Sequence, residues 1–136
     1  MIPENLNACQ VGTVGEQFVR YKLMRWGFEA IMMEQGNDYD IIVIDKKPVR
    51  IQVKSAKTID PNRTNSYKFT TSKGSAKKQT YEKDNVDCFA FVALDIERII
   101  FFEPITAKCK RIRAENFTSS AGYDSWCGIL ADIQKM

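Results

Sequence analysis

Gly36-Asn37-Asp38-Tyr39-Asp40-Ile41-Ile42-Val43-Ile44-Asp45-Lys46-Lys47-Pro48-Val49-Arg50-Ile51-Gln52-Val53-Lys54-Ser55-Ala56-Lys57 is the stretch around which the rest of the chain is organised. It contains two β-branched runs, Tyr39 to Ile44 and Val49 to Val53, on either side of a polar turn ending in Pro48. That pattern predicts a β-hairpin. Side chains alternate faces along a strand. Ile41 and Val43 therefore share one face, and Asp40, Ile42 and Ile44 the other. In the second run Val49, Ile51 and Val53 form an apolar face, while Arg50, Gln52 and Lys54 form the opposite one.

Register decides what this means. A three-residue loop, Asp45-Lys46-Lys47, sets Asp40 opposite Gln52. A loop one residue longer turns Asp40 onto the apolar side, where an unpaired carboxylate is costly. The shorter loop gathers a carboxylate, an amide and an ammonium at one end of the hairpin. Opposed Cβ atoms lie about 5 Å apart, close enough to share a metal ion. A solvated hairpin face is the plain alternative for the same residues.

Asp40 followed by Gln52-Val53-Lys54 resembles the motif of the PD-(D/E)XK nuclease superfamily, with Tyr39-Asp40 in place of Pro-Asp and Gln52 in place of the second acid. The resemblance implies an αβββαβ core, an α/β (α+β) single domain whose mixed central sheet is flanked by helices. It implies Asp40 as the main metal ligand, with the Gln52 amide oxygen and the Val53 backbone carbonyl beside it. Lys54 would orient the attacking water and stabilise charge on the phosphorane. The implied cofactor is Mg²⁺, with Mn²⁺ as a substitute, and one metal ion suits the loss of an acid at Gln52.

Residues 7 to 26 read as a first helix, with Val11, Val14, Phe18, Val19, Leu23 and Trp26 on one broad side and Gly27 as its stop. Glu16 has two readings. Thr13-Val14-Gly15-Glu16 fits a capping box with Thr13 as N-cap. The superfamily, however, carries an acid on its first helix, often after glycine, and Gly15-Glu16 resembles it. In the second reading Glu16 is a further ligand.

Phe28 to Met33 reads as a strand; Asp38 offers a second acid for the site, but Asn37-Asp38 reads more simply as turn chemistry. A loop holding Asp60-Pro61-Asn62 leads to a strand at Tyr67 to Thr71. Ser72 to Gln79 is small, polar and basic: either a solvated loop or a phosphate-contacting arm. Lys57, Lys73, Lys77 and Lys78 are the nucleic-acid-binding candidates. Tyr81 to Asn85 reads as the end of a short helix, Asp87 to Leu94 as a buried strand, and Ile99 to Glu103 as its return. Lys108, Lys110, Arg111 and Arg113 form a second basic cluster, and Tyr123 to Ile133 a closing helix. Tyr81, Asp87-x-Phe89 and Phe101-Phe102-x-Pro104 further resemble bacterial group I intron homing endonucleases of the superfamily.

The 136 residues suit one domain, 1–136, with no linker or repeat. No apolar run is long enough to cross a bilayer, and the N-terminus lacks a signal-peptide pattern. Four scattered cysteines suit reduced thiols and a cytoplasmic location. The chain has no histidine, which excludes a Ser-His-Asp triad, a Cys-His dyad and imidazole catalysis. A net charge of +3 is compatible with nucleic acid.

The expected function is a metal-dependent endonuclease acting on double-stranded or branched DNA as a homodimer or homotetramer. The homing type is favoured over a Holliday-junction-resolvase-like enzyme. A nucleic-acid-binding module with a decayed site, or an interaction domain without nucleic acid, are the non-enzyme alternatives.

Overall fold

The computed structural model describes residues 5–34, 37–73, 79–80 and 85–135. Helix α1 runs over Ala8–Arg25. Asn7 caps it: its side chain accepts from the Gln10 backbone N–H, and its own N–H donates to the Gln10 side chain, both at 2.9 Å. The capping box is thus six residues upstream of the Thr13–Glu16 box expected from sequence. Thr13 lies inside the helix and donates its hydroxyl to the Cys9 carbonyl. At the other end Gly27, at φ 94°, closes the helix. Phe28 donates to the Leu23 carbonyl and Gly27 to the Met24 carbonyl, which is a Schellman motif.

Strands β1 (Glu29–Met32), β2 (Ile41–Ile44) and β3 (Val49–Ala56) follow as an antiparallel meander. Next come β4 (Ser66–Thr70), the short β5 (Ser72–Lys73) and β6 (Gln79–Thr80), and β7 (Cys88–Ala93). Then β8 (Arg98–Phe102), β9 (Cys109–Arg113) and helix α2 (Ala121–Lys135) complete the chain. The main sheet has the order β1-β2-β3-β7-β8. Only β3 and β7 are parallel in it, so the sheet is mixed. Strand β7 is buried at every position, as a central strand covered on both faces must be.

The expectation of a mixed sheet in an α+β domain holds. The placement of the helices differs from it. Val19 and Leu23 of α1 and Trp126 of α2 join one core cluster with Ile41, Val43, Ile51, Val53, Ala90 and Val92. Both helices therefore cover the same face. The other face of β3, β7 and β8 is covered by a separate antiparallel ribbon of β4 and β9, whose Tyr67, Phe69 and Ile112 pack on Phe89, Phe91 and Ala56. The helix expected to end at Tyr81 to Asn85 falls mostly on 81–84, outside the described residues. Among the described residues the second α-helix follows the sheet.

The edge strand β1 is blunted. Arg20 of α1 donates its Nε–H to the Ala30 carbonyl at 2.9 Å, occupying a group that another chain would otherwise pair with. Gln134 of α2 clamps the β2–β3 turn by exchanging hydrogen bonds with both backbone groups of Lys47. The start of β7 is tied to β3 by Asp87, which accepts from the Arg50 backbone N–H at 2.7 Å and from its guanidinium at 3.0 and 3.1 Å. Asp87→Ala removes all three bonds, so it should cost about 2 kcal/mol of stability. Urea unfolding of parent and variant measures this; an unchanged midpoint would deny the clamp a structural role.

Candidate active site

The hairpin adopts the register of the three-residue loop: Ile41 pairs with Ile51, Ile42 with Arg50 and Val43 with Val49. Strand β2 begins at Ile41, whereas β3 extends to Ala56, so β3 outruns its neighbour. The Val53 N–H has no β2 residue beside it, and the Asp40 side chain takes the place of one. Asp40 Oδ2 accepts from Val53 N at 2.9 Å and from Gln52 Nε2 at 2.9 Å. The Asp40 backbone is itself held between Ile51 O and Met33 N, both at 2.8 Å.

Gln52 is 6% exposed, and its amide reaches both Asp40 and, at 3.4 Å, the Val53 carbonyl. Both neighbours are acceptors, so the edge facing them is NH₂. This departs from the sequence expectation of a carbonyl oxygen directed at a metal. For the Gln52 oxygen to act as a ligand beside Asp40 and Val53, the amide must rotate and give up both bonds.

Glu16 is brought in by a close helix–strand approach. Gly15 faces Ser55 of β3, and a Cβ built on Gly15 meets Ser55 Oγ at 1.7 Å and Cβ at 2.9 Å. Only glycine lets α1 sit this low over β3, and Glu16 is the next residue. Burial raises the Glu16 carboxyl from 4.5 to about 7; the Asp40 charge adds to the rise and Lys54 opposes it. Asp40 is also raised by burial, against the Val53 N–H and Lys54. Glu16, Asp40 and Lys54 thus share one electrostatic environment.

Two desolvated carboxylates and one ammonium leave a cluster that gains from a cation. The donors are hard oxygens: Asp40, Glu16 and the Val53 carbonyl. Mg²⁺ is commonly held by one or two carboxylates with water filling the rest, so this set fits it. Among the described residues no group of three or more His, Cys, Asp or Glu side chains is placed to hold a metal.

The remaining candidates are less gathered. Lys57 follows β3 and is half-buried. Lys73 lies in β5, and Lys77 and Lys78 fall outside the described residues. Sequence reading passed over a polar recess of about 300 Å³ lined by Asn37, Asp38, Tyr39, Arg50 and Asn85. Asn85 donates to Asp38 Oδ2 there at 2.6 Å. Arg50 shares the Gln52 and Lys54 face, a signal present in the alternation, but Asn85 is distant in sequence.

No protein-family model matches the chain. No curated protein matches it either. Solved structures do. One is the bacterial homing endonuclease I-Ssp6803I, with a TM-score of 0.74 and 16% identity, over 96% of this chain and 98% of that one. The fold is similar to that of a homing endonuclease. Another is the Holliday junction resolvase Hjc of Archaeoglobus fulgidus, with a TM-score of 0.49 and 18% identity, over 78% of this chain and 86% of that one. No helix among the described residues is long and apolar enough to cross a membrane.

Two tests follow from this geometry. Gly15→Ala forces α1 off β3 and should cost about 1–3 kcal/mol, as overpacking does. Adding Ser55→Gly removes the opposing atoms and should restore most of the loss. Thermal melts of the single and double variants check this; a double variant as unstable as Gly15→Ala would deny the contact.

The second test is of pH. Below about 4.5 Glu16 is protonated in folded and unfolded chains, and above about 7 it is ionised in both. Between these values the folded chain holds a proton that the unfolded chain releases. Stability therefore falls as pH rises through this window, and the deficit persists above it. Glu16→Gln should raise the melting temperature relative to the parent at pH 8 and not at pH 4, without divalent ions. A difference that is the same at both pH values would place Glu16 in ordinary solvent.

Proposed function

We propose that this protein is a metal-dependent DNA endonuclease that hydrolyses phosphodiester bonds. The observation that carries this is the convergence of Asp40, Val53 and Lys54 at the end of β3, with Glu16 delivered to them from α1. Asp40, Glu16 and the Val53 carbonyl would hold a divalent cation, Mg²⁺ or Mn²⁺. Such an ion supplies positive charge to the anionic phosphodiester and acidifies water for attack. Lys54 cannot ligate it. Its ammonium instead orients the water and stabilises charge developing on the phosphate oxygens. Gln52 holds the Asp40 carboxylate in position through its amide NH₂.

A homing-type, site-specific enzyme is the preferred reading, supported by the fold likeness over nearly the whole of a homing endonuclease chain. A resolvase-like, structure-specific nuclease is the alternative within the class. Either must cut two strands, which a homodimer or homotetramer achieves with one site per copy. A binding module without cleavage is the second reading, favoured by one observation: Gln52 presents nitrogen, not oxygen, to Asp40 and Val53.

The test is cleavage of duplex, nicked and four-way-junction DNA with and without Mg²⁺. Asp40→Asn is the informative variant, because its amide oxygen still accepts from Val53 and preserves the fold. It should abolish cleavage and leave DNA binding intact. Lys54→Ala should retain binding and lose about 3 kcal/mol of rate acceleration, roughly a hundredfold in kcat. DNA binding without cleavage by the parent would establish the second reading. Full activity in both variants would remove these residues from the chemistry.

A further inference from the structure

The β4–β9 ribbon has a role left over after its core packing is accounted for. Its inner side is explained: Tyr67, Phe69 and Ile112 are buried, and Lys110 lies over the Phe102 ring at 4.6 Å. Its outer side carries Lys68, Thr70, Cys109, Arg111 and Arg113, all exposed. Every charged residue within the two strands is basic. Arg63, in the turn leading into β4, is exposed and adds a further cation.

A face designed only for solvation mixes the two signs. Here Lys68 and Arg111 are directly opposed across the strands, a like-charge pairing that opposes folding. Among the described residues, Asp60 and Glu115 pair with basic side chains of this face. Asp60, itself buried, takes the Arg111 guanidinium and also lies in the field of Lys68, so one carboxylate offsets part of this opposed pair, and Arg113 stands outside its reach. Glu115 meets Arg113 at 3.5 Å with both about 70% exposed, a pairing worth little in water.

The shape adds to the charge. Two strands about 5 Å apart form a ribbon of the kind that a B-DNA major groove, about 12 Å wide, admits. The ribbon's inner side is also linked to the strand that carries the candidate site: Lys54 is opposed by Phe91 on β7, and Phe69 of β4 meets Phe91 in a tilted contact with centroids 4.9 Å apart. We propose that the outer face of the β4–β9 ribbon is a docking surface for the major groove of duplex DNA, with Lys68, Arg111 and Arg113 on its phosphates. This rests on the nuclease reading for its ligand class and assigns the recognition element within it.

The experiment is fluorescence anisotropy of the full chain with a duplex DNA in metal-free buffer over a range of salt, so that binding is read without cleavage. Lys68→Ala with Arg113→Ala removes two exposed side chains that the core does not use. Affinity should fall on the order of tenfold or more near 0.1 M salt, and the log–log salt slope should shrink by about 1.8. Thr70→Lys adds a charge on the same face and should tighten binding and steepen the slope. An RNA duplex of the same sequence, whose deep major groove excludes a ribbon, should bind more weakly than DNA.

Unchanged affinity and slope in both variants would overturn the ribbon assignment while leaving the nuclease reading in place. Equal binding of RNA and DNA duplexes would overturn docking in the major groove. Retained binding that the ribbon variants weaken, in a parent that cuts nothing, would support the ribbon and overturn the nuclease. A parent that binds no duplex would overturn both.

Discussion

The backbone N–H of Val53 is the group on which the candidate site depends. Strand β3 is longer than β2, so one of its donors emerges where the sheet has no neighbouring strand. A buried amide without a partner is expensive. Asp40 meets that demand with a side chain instead of a backbone carbonyl. The same bond that completes the sheet edge therefore fixes a carboxylate at the point where β2 and β3 separate. Gln52, opposite Asp40 in register, holds it from the side. Structure and candidate chemistry are thus coupled through one carboxylate oxygen.

The second constraint comes from the opposite layer. Helix α1 can deliver Glu16 only because Gly15 has no side chain to strike Ser55. The approach desolvates Glu16 and places it in the field of Asp40, and both effects raise its carboxyl to about 7. Lys54 opposes the rise at both carboxyls without cancelling it. Stability is given up at a place where charge is concentrated, which is a common property of functional sites.

The sheet is covered asymmetrically. Helices α1 and α2 share one face, and the β4–β9 ribbon covers the other with an aromatic underside. Phe69, Phe91, Tyr67 and Phe117 meet in tilted or edge contacts at centroid distances of 4.9–6.2 Å. That packing uses the ribbon's inner side, while Arg111 of the outer row holds the buried Asp60 and Lys68 stays exposed. The underside of the ribbon and the end of β3 consequently meet at Phe91, although they are far apart in sequence.

Local pattern determined the hairpin. Strict alternation, together with the cost of an apolar-side carboxylate, left one loop length for Asp45 to Lys47, and hence Asp40 opposite Gln52. Val49, Ile51 and Val53, the continuous apolar run at Cys88 to Ala93, and Gly27 as a helix stop were legible for the same reason: each acts through its own neighbours. Thr13-Val14-Gly15-Glu16 matched a capping box, but Asn7 and Gln10 cap the helix earlier, since the apolar side that packs on the sheet already begins at Val11. Strand β9 was unreadable as a strand because Ile112 is its one buried residue, and β4 supplies the pairing. The orientation of the Gln52 amide, the descent of Glu16 onto Asp40 and the shared face of both helices were decided by tertiary structure. Each depends on contacts between segments distant in sequence, and periodicity carries no information about which surfaces of two elements meet.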